Sequence, residues 1–492
     1  MRYQTGFGGM TEVDSIVPDL TPSDELHKSR PDFMYPMSRP ISPAVVAKKA
    51  PVVFPHHHGS KFERVPYWQD IPRWKDVTEE QFMSYEWNKN SNIQGKDKLV
   101  EFLKDVLPET FPTSADLPNI TTRDTFLKDV IAGIDSAPMA IRLTPHILSL
   151  INWNRPLDDP MRRQFIPMKS ALVANHPKLT LDSLHESLDS PCLGLVHRYP
   201  DKVLFLATSV CPLYCRFCTR SYEVGGNTET VTKKRSAKPS KRRWDIIMQY
   251  IQDTPAIQDV VISGGDSYYL TPEQLTSIGE RLLNIPHIRR FRFATKGLAV
   301  TPSRILDPND PWIDSLINIS NLGRKMGKHV AVHTHFNHPN EFSWVTREAA
   351  QKLFVNNVTV RNQSVLLKGV NDNVETMGSL IRELADNNIK PYYVYQGDMV
   401  KGVEDLRTPL STILKLETEI RGTIAGFMMP QFVVDLPGGG GKRLAASYQS
   451  YDRKTGISTF VAPAVKGRDK ENKVYEYFDP LHSLPVVDPL SG

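Results

Sequence analysis

Between residues 202 and 398 six short β-prone runs alternate with amphipathic helical stretches: KVLFLATS (202–209), DVVISGGD (259–266), RRFRFAT (289–295), HVAVHTH (329–335), VTVRNQSVLL (358–367) and PYYVYQGD (391–398). The intervening segments, such as TPEQLTSIGERLL and VETMGSLIRELADN, space their apolar residues at helical intervals. A strand–helix rhythm of this kind predicts an α/β fold in which parallel strands are wrapped by helices, here a (β/α)6 partial TIM barrel. Such barrels carry their chemistry at the C-terminal ends of the strands. The polar residues fall there. A cysteine-rich loop follows the first run, Gly264-Gly265-Asp266 ends the second and His335 ends the fourth. Gln363 lies in the fifth run and Asp398 ends the sixth. Residues 1–64, rich in Pro, Ser and His, are expected to be an irregular N-terminal extension. Residues 65–195, with Trp68, Trp74 and Trp87, predict an N-terminal helical region, 196–442 the barrel, and 443–492 a C-terminal extension. Within that extension GISTFVAPA and KVYEYFDP predict a pair of strands.

The formal charge of +5 over 492 residues is too small to imply general affinity for nucleic acid or a membrane surface. No apolar run reaches the roughly 18 residues of a membrane helix, and the N-terminus lacks a secretory pattern. The early acids Glu12, Asp14, Asp19, Asp24 and Glu25 argue against a mitochondrial presequence, so a cytoplasmic location is expected. The run KKRSAKPSKRR (233–243) reads as a solvated loop, with a nuclear import signal as the other reading.

Three of the four cysteines, Cys211, Cys215 and Cys218, stand at Cys-x3-Cys-x2-Cys spacing in CPLYCRFCTR. Three thiolates so close can hold three irons of a [4Fe-4S] cluster and leave the fourth open to a ligand. A structural zinc site would need a fourth ligand and commonly shows paired Cys-x2-Cys knuckles; no cysteine follows Cys218. Cys192, the remaining thiol, reads as structural. Phe217 is suited to stacking on an adenine or to ordinary core packing. Gly264 and Gly265 would let backbone approach a ligand closely, and Asp266 would offer a carboxylate to an ammonium group.

A second unusual segment is FVVDLPGGGGKRLA (432–445). It is no phosphate-binding P-loop, because Leu436 stands where that pattern needs Gly and Arg443 where it needs Ser or Thr. A glycine linker is one reading. The other is a lysine, Lys442, delivered into the barrel, where a primary amine can condense with the carbonyl of pyridoxal 5'-phosphate (PLP).

Taken with HRYPDKVLFL, VVISGGD, HTHFNHPNE, NQSVLLKGVND and LRTP, these motifs resemble the lysine 2,3-aminomutase family of radical S-adenosylmethionine (SAM), PLP-dependent enzymes from about Trp68 to Pro480. The resemblance implies a [4Fe-4S] cluster on Cys211, Cys215 and Cys218. It implies SAM contacts from Phe217, Gly264, Gly265, Asp266, His335 and Gln363, and PLP on Lys442 with Arg198 and Tyr199 near its phosphate. It further implies an amino acid substrate, a low-potential electron donor and a homo-oligomer. Arg220 is suited to a bidentate grip on the substrate α-carboxylate. Asp398 and Asp435 match the acids of lysine-acting members, and would receive the ε-ammonium. The implied reaction moves the α-amino group of L-lysine from C2 to C3, giving β-lysine through a PLP aldimine and a 5'-deoxyadenosyl radical. Another amino acid as substrate, or an inactive iron–sulfur protein of the same fold, remain alternatives. The chain departs from the family in Lys202, where an arginine is usual near the PLP phosphate, in Ser221-Tyr222-Glu223 after the cysteines, and in TKGLAVTP (295–302). It also lacks the later cysteines that hold a structural zinc in clostridial members.

Overall fold

The computed structural model describes residues 64–233, 239–465, 470 and 472–485. Nearly all of the expected N-terminal extension, and residues 234–238 of the basic run, lie outside the described residues.

Strands β1 (Ile93–Gln94) and β2 (Arg142–Leu143) form a small antiparallel pair. The main sheet contains β3 (Leu195–Val196), β4 (Lys202–Thr208), β5 (Asp259–Gly264), β6 (Arg290–Ala294) and β7 (His329–Thr334). It continues with β8 (Thr359–Val365), β9 (Lys390–Tyr395), β10 (Gln431–Leu436) and β11 (Gly441–Leu444). These nine strands lie in the order β11-β10-β9-β8-β7-β6-β5-β4-β3. The six expected strands are β4 to β9, each parallel to the next. The sheet curls into a half-barrel with two open edges, β3 and β11, each antiparallel to its neighbour.

Of the parallel strands, one was not anticipated. β10 adds a seventh parallel strand beside β9. Its run QFVVDL is buried at all but the first position, the near-continuous apolar pattern of a parallel strand covered on both faces.

Helices cover the outside because their starts are written locally. Pro272–Asn284 begins with a capping box in which Thr271 accepts from the Gln274 N–H and the Gln274 side chain accepts from the Thr271 N–H. Along β6 the alternation RFRFA sends Phe291 and Phe293 into the main core, each contributing about 1.5–3 kcal/mol by burial. Arg292 and Ala294 face the lumen instead. β8 does the same, burying Val360, Asn362 and Ser364 while Gln363 and Val365 line the interior. The period of two thus turns polar side chains inward.

The N-terminal region is helical as expected, and Lys96–Val106 buries Leu99, Phe102 and Leu103 on one face. Trp68 stacks on Phe82 at 4.2 Å, and Trp74 packs on Phe102. At the other end β12 (Ser450–Asp452), β13 (Ile457–Val461) and β14 (Val474–Phe478) form a three-stranded antiparallel sheet, which includes the expected pair. It braces the barrel mouth, where the Tyr477 hydroxyl donates to the Gly397 carbonyl at 2.8 Å. Among the described residues no helix is long and apolar enough to cross a membrane.

Candidate active site

The cysteine loop leaves the end of β4 and is tied down by the N-terminal region. Backbone N–H groups of Tyr214 and Arg216 donate to the carbonyls of Arg142 and Gln164, each at 3.0 Å. The Arg216 guanidinium grips Asp405 at 2.9 and 3.1 Å. Cys211, Cys215 and Cys218 are free thiols lining one cavity. Burial pushes all three thiols up, Cys215 to about 12. Three thiolates there need a cationic centre to offset desolvation. Among the described residues no three His, Cys, Asp or Glu side chains converge on a single metal ion. Three free thiols on one loop, lining one cavity, suit a cluster that takes one thiolate per iron, so the donor set fits a [4Fe-4S] group.

The Gly264-Gly265-Asp266 turn has a structural task of its own. Gly264 holds φ +115°, and a Cβ on it would sit 2.1 Å from the Thr208 carbonyl oxygen; a Cβ on Gly265 would sit 2.5 Å from that of Val210. The glycines admit the chain leading into the cysteine loop, and Gly265 also lines the cavity. Asp266 is likewise engaged: its carboxylate accepts the Tyr268 and Lys296 N–H groups, each at 2.8 Å. Burial pushes it to about 6. Both oxygens hold backbone, so Asp266 shapes the turn instead of presenting a free carboxylate.

Within the cysteine loop, Phe217 stacks on His335 at 5.5 Å with a 17° interplanar angle. Among the described residues the His335 Nε2 has no hydrogen-bond partner, and burial holds the ring neutral. Gln363 Nε2 pairs with His333 Nδ1 at 2.9 Å. Lys296 anchors this wall through the His335 carbonyl at 2.7 Å and the fully buried Glu341 at 2.6 Å. Lys296 and Glu341 stand within segments already singled out, but nothing in their spacing marks them as a pair.

Lys442 arrives on a tight hairpin. Gly438, Gly439 and Gly441 hold φ of +74°, +84° and +79°, the left-handed region that glycine enters without penalty. β10 and β11 then pair so that Asp435 and Lys442 are direct cross-strand partners, with Nζ 2.5 Å from the Asp435 carboxylate. Burial disfavours the ammonium, but Asp435 together with Tyr395 and Tyr199 outweighs it and raises Lys442 well above its ordinary value. The Tyr199 hydroxyl accepts the Lys442 backbone N–H at 2.9 Å. Lys202 lies 4.0 Å over the Tyr199 ring. Gly441→Ala should misplace Lys442, since its Cβ would meet Val465 at 2.8 Å and the Tyr199 hydroxyl at 3.0 Å. The expected cost is about 1–3 kcal/mol, read from the urea midpoint, together with weakened PLP uptake.

Two expected anchors are already partnered. Arg198 donates from Nε to Asp189 at 2.7 Å and also to the Leu184 carbonyl. Arg220 gives Nε and Nη2 to the two oxygens of Glu186, at 2.8 and 2.7 Å, so one edge of its fork is held by protein rather than open. Glu186 was missed from the sequence because it lies in a Ser/Asp-rich turn with no motif of its own. Asp398 is nearby, pushed up to about 8 by burial and then by Asp435. Among the described residues one carboxylate oxygen of Asp398 and one of Asp435 find no hydrogen-bond partner.

A single cavity of about 450 Å³ joins the three cysteines, Phe217, Gly265, Asp266, His335, Gln363, Arg198, Tyr199, Arg220, Asp398, Asp435 and Lys442. Only Gly264 of the expected residues stays out of its lining. A half-barrel with a three-cysteine loop after its first parallel strand is the architecture of radical SAM enzymes. No family model matches the chain, but curated relatives do. L-lysine 2,3-aminomutase of Clostridium subterminale is 35% identical over 418 residues, 84% of this chain and 88% of that protein. L-lysine 2,3-aminomutase of Bacillus subtilis is 34% identical over 376 residues, 76% of this chain and 71% of that protein. Glutamate 2,3-aminomutase of Clostridioides difficile is 30% identical over 366 residues, 74% and 77% of the two chains. The chain therefore belongs to the lysine 2,3-aminomutase family and is an isomerase that transfers an amino group within its substrate. Members of this family generally use an iron–sulfur cluster, SAM and PLP.

Proposed function

We propose that this enzyme is an L-lysine 2,3-aminomutase, forming β-lysine. The observation that carries the choice of substrate is the Asp398–Asp435 pair. Two carboxylates line one cavity, and Lys442 bonds Asp435 while no hydrogen bond to a cation is found for Asp398 among the described residues, so the pair has room for a further cation. The ε-ammonium of lysine supplies one, whereas the side-chain carboxylate of glutamate would add a third negative charge.

The assigned residues divide the work as follows. Cys211, Cys215 and Cys218 hold the cluster. Phe217, His335, Gln363 and the Gly265–Asp266 backbone hold SAM, and Lys442 with Arg198, Tyr199 and Lys202 holds PLP. When bound, these groups supply reductive radical generation and a carbonyl that carries the migrating nitrogen. Asp435 Oδ2, 2.5 Å from Nζ, receives a proton from Lys442 when the amine acts as a nucleophile. Once Asp435 has passed that proton to solvent, its carboxylate is free to pair with the substrate ammonium. Arg220 takes the α-carboxylate. The N-terminal region and the C-terminal sheet keep water from the lumen. A low-potential electron donor, a homo-oligomeric state and a cytoplasmic location complete the proposal.

The test is anaerobic assay of the reconstituted enzyme with lysine, arginine, ornithine and glutamate. β-Lysine should be the dominant product; turnover of glutamate with none of lysine would overturn the assignment. Lysine binding should also release a proton below about pH 8, because Asp398 must ionise to meet the ammonium. Affinity should therefore rise with pH toward that value, and calorimetry in buffers of different ionisation enthalpy measures the release. Asp398→Asn should abolish the release and weaken lysine by about 2–5 kcal/mol.

A further inference from the structure

We propose that Glu186 is a positioning residue for Arg220: it clamps one edge of the guanidinium so that the other edge is presented to the substrate α-carboxylate. This rests on the reading of Arg220 as the carboxylate anchor, but not on which amino acid is the substrate.

Arginine carries five N–H donors on a rigid plane. Glu186 takes the Nε–H at 2.8 Å and one Nη2–H at 2.7 Å, a bidentate, side-on pair. Three donors remain, and two of them, one each on Nη1 and Nη2, form the end-on fork that a second carboxylate can enter. A single guanidinium can thus bridge two carboxylates, and the side-on partner fixes the plane of the end-on one.

Glu186 is itself held from several directions. It is buried, the Tyr222 hydroxyl donates to Oε2 at 3.3 Å, and its backbone N–H donates to Asp182 at 2.9 Å. Its neighbour His185 has φ +51°, an uncommon left-handed conformation for a side-chain-bearing residue, which marks a turn held by its surroundings. The same turn reaches the lysine loop. The Gly438 N–H donates to the Ser183 carbonyl at 2.8 Å, and Arg198 donates to the Leu184 carbonyl. One short segment, 182–189, therefore sets the substrate anchor and the lysine-bearing loop against each other. Tyr222 belongs to the Ser221-Tyr222-Glu223 departure noted in the sequence, which gives that departure a structural use.

Glu186→Gln keeps the size and an acceptor but replaces the second acceptor with a donor, breaking the two-point clamp. The expected result is a loss of about 100-fold in kcat/KM for the amino acid the enzyme turns over, through misorientation of the carboxylate. The discriminating readout is direct binding by anaerobic calorimetry to the cofactor-loaded protein. The amino acid should bind at least about tenfold more weakly, while the matching amine without a carboxylate (cadaverine, for lysine) should bind as to wild type. In an Arg220→Met background Glu186→Gln should add no further loss, since its effect runs through the guanidinium. Equal weakening of amine and amino acid, additive losses in the double variant, or wild-type behaviour of Glu186→Gln would each overturn the proposal. If Arg220→Met alone leaves amino acid binding intact, the anchor reading fails instead. If lysine is not the substrate but the turned-over amino acid shows the pattern, the lysine reading fails and Glu186 keeps its role.

Discussion

Lys442→Ala is expected to leave an enzyme that folds, carries iron and yet takes up no PLP as an imine. The long-wavelength absorbance of an internal imine should be absent, and turnover should fall by roughly 10⁴-fold or more, the scale on which deleting a covalent catalyst's reactive group acts. Among the described residues Lys442 is also the one cation hydrogen-bonded to the buried Asp435. Its removal should therefore cost stability, by about 1–3 kcal/mol once the cavity's access to solvent is allowed for. Lys442→Ala combined with Asp435→Asn should recover most of that stability without recovering activity. Chemical denaturation and absorbance titration with PLP separate the two effects. An imine band that persisted in Lys442→Ala would remove this lysine from the mechanism.

Cys215→Ser should have an effect as large, by another route. Cys215 packs against the main core, in a loop whose neighbours Tyr214 and Arg216 are bonded to the N-terminal region, so far-ultraviolet circular dichroism should be unchanged. Iron and sulfide content after anaerobic reconstitution should drop to near background, because a serine hydroxyl is a poor substitute for a soft thiolate. SAM cleavage should vanish with the cluster. Full iron loading in Cys215→Ser, or retention of SAM cleavage, would show that the cysteines serve another purpose.

Much of this arrangement was legible along the chain because it is local. The alternation of apolar runs and helical spacing located β4 to β9, since period and turn chemistry are properties of neighbouring residues. The cysteine spacing and the four glycines before Lys442 were equally local signals. The strand β10 was harder: QFVVDL is too short for its periodicity to identify it without a partner, and β9 supplies that partner from 38 positions away. The bonds that Asp266 makes within the fold were hidden for a related reason. Its two acceptors were already claimed by the N–H groups of Tyr268 and Lys296, and the second of those lies on another strand's end.

The sequence by itself determined the fold class, the three thiols, the lysine on its glycine hairpin, and the presence of two acids suited to an ammonium. Only the tertiary structure decided what each charge already has as a partner. Arg220 is clamped by Glu186, Arg198 by Asp189, Lys296 by Glu341, while Asp398 keeps an oxygen without one. Partners drawn from turns 9 to 45 positions away follow no fixed spacing, because hydrogen-bond geometry depends on distance in space and not on distance along the chain.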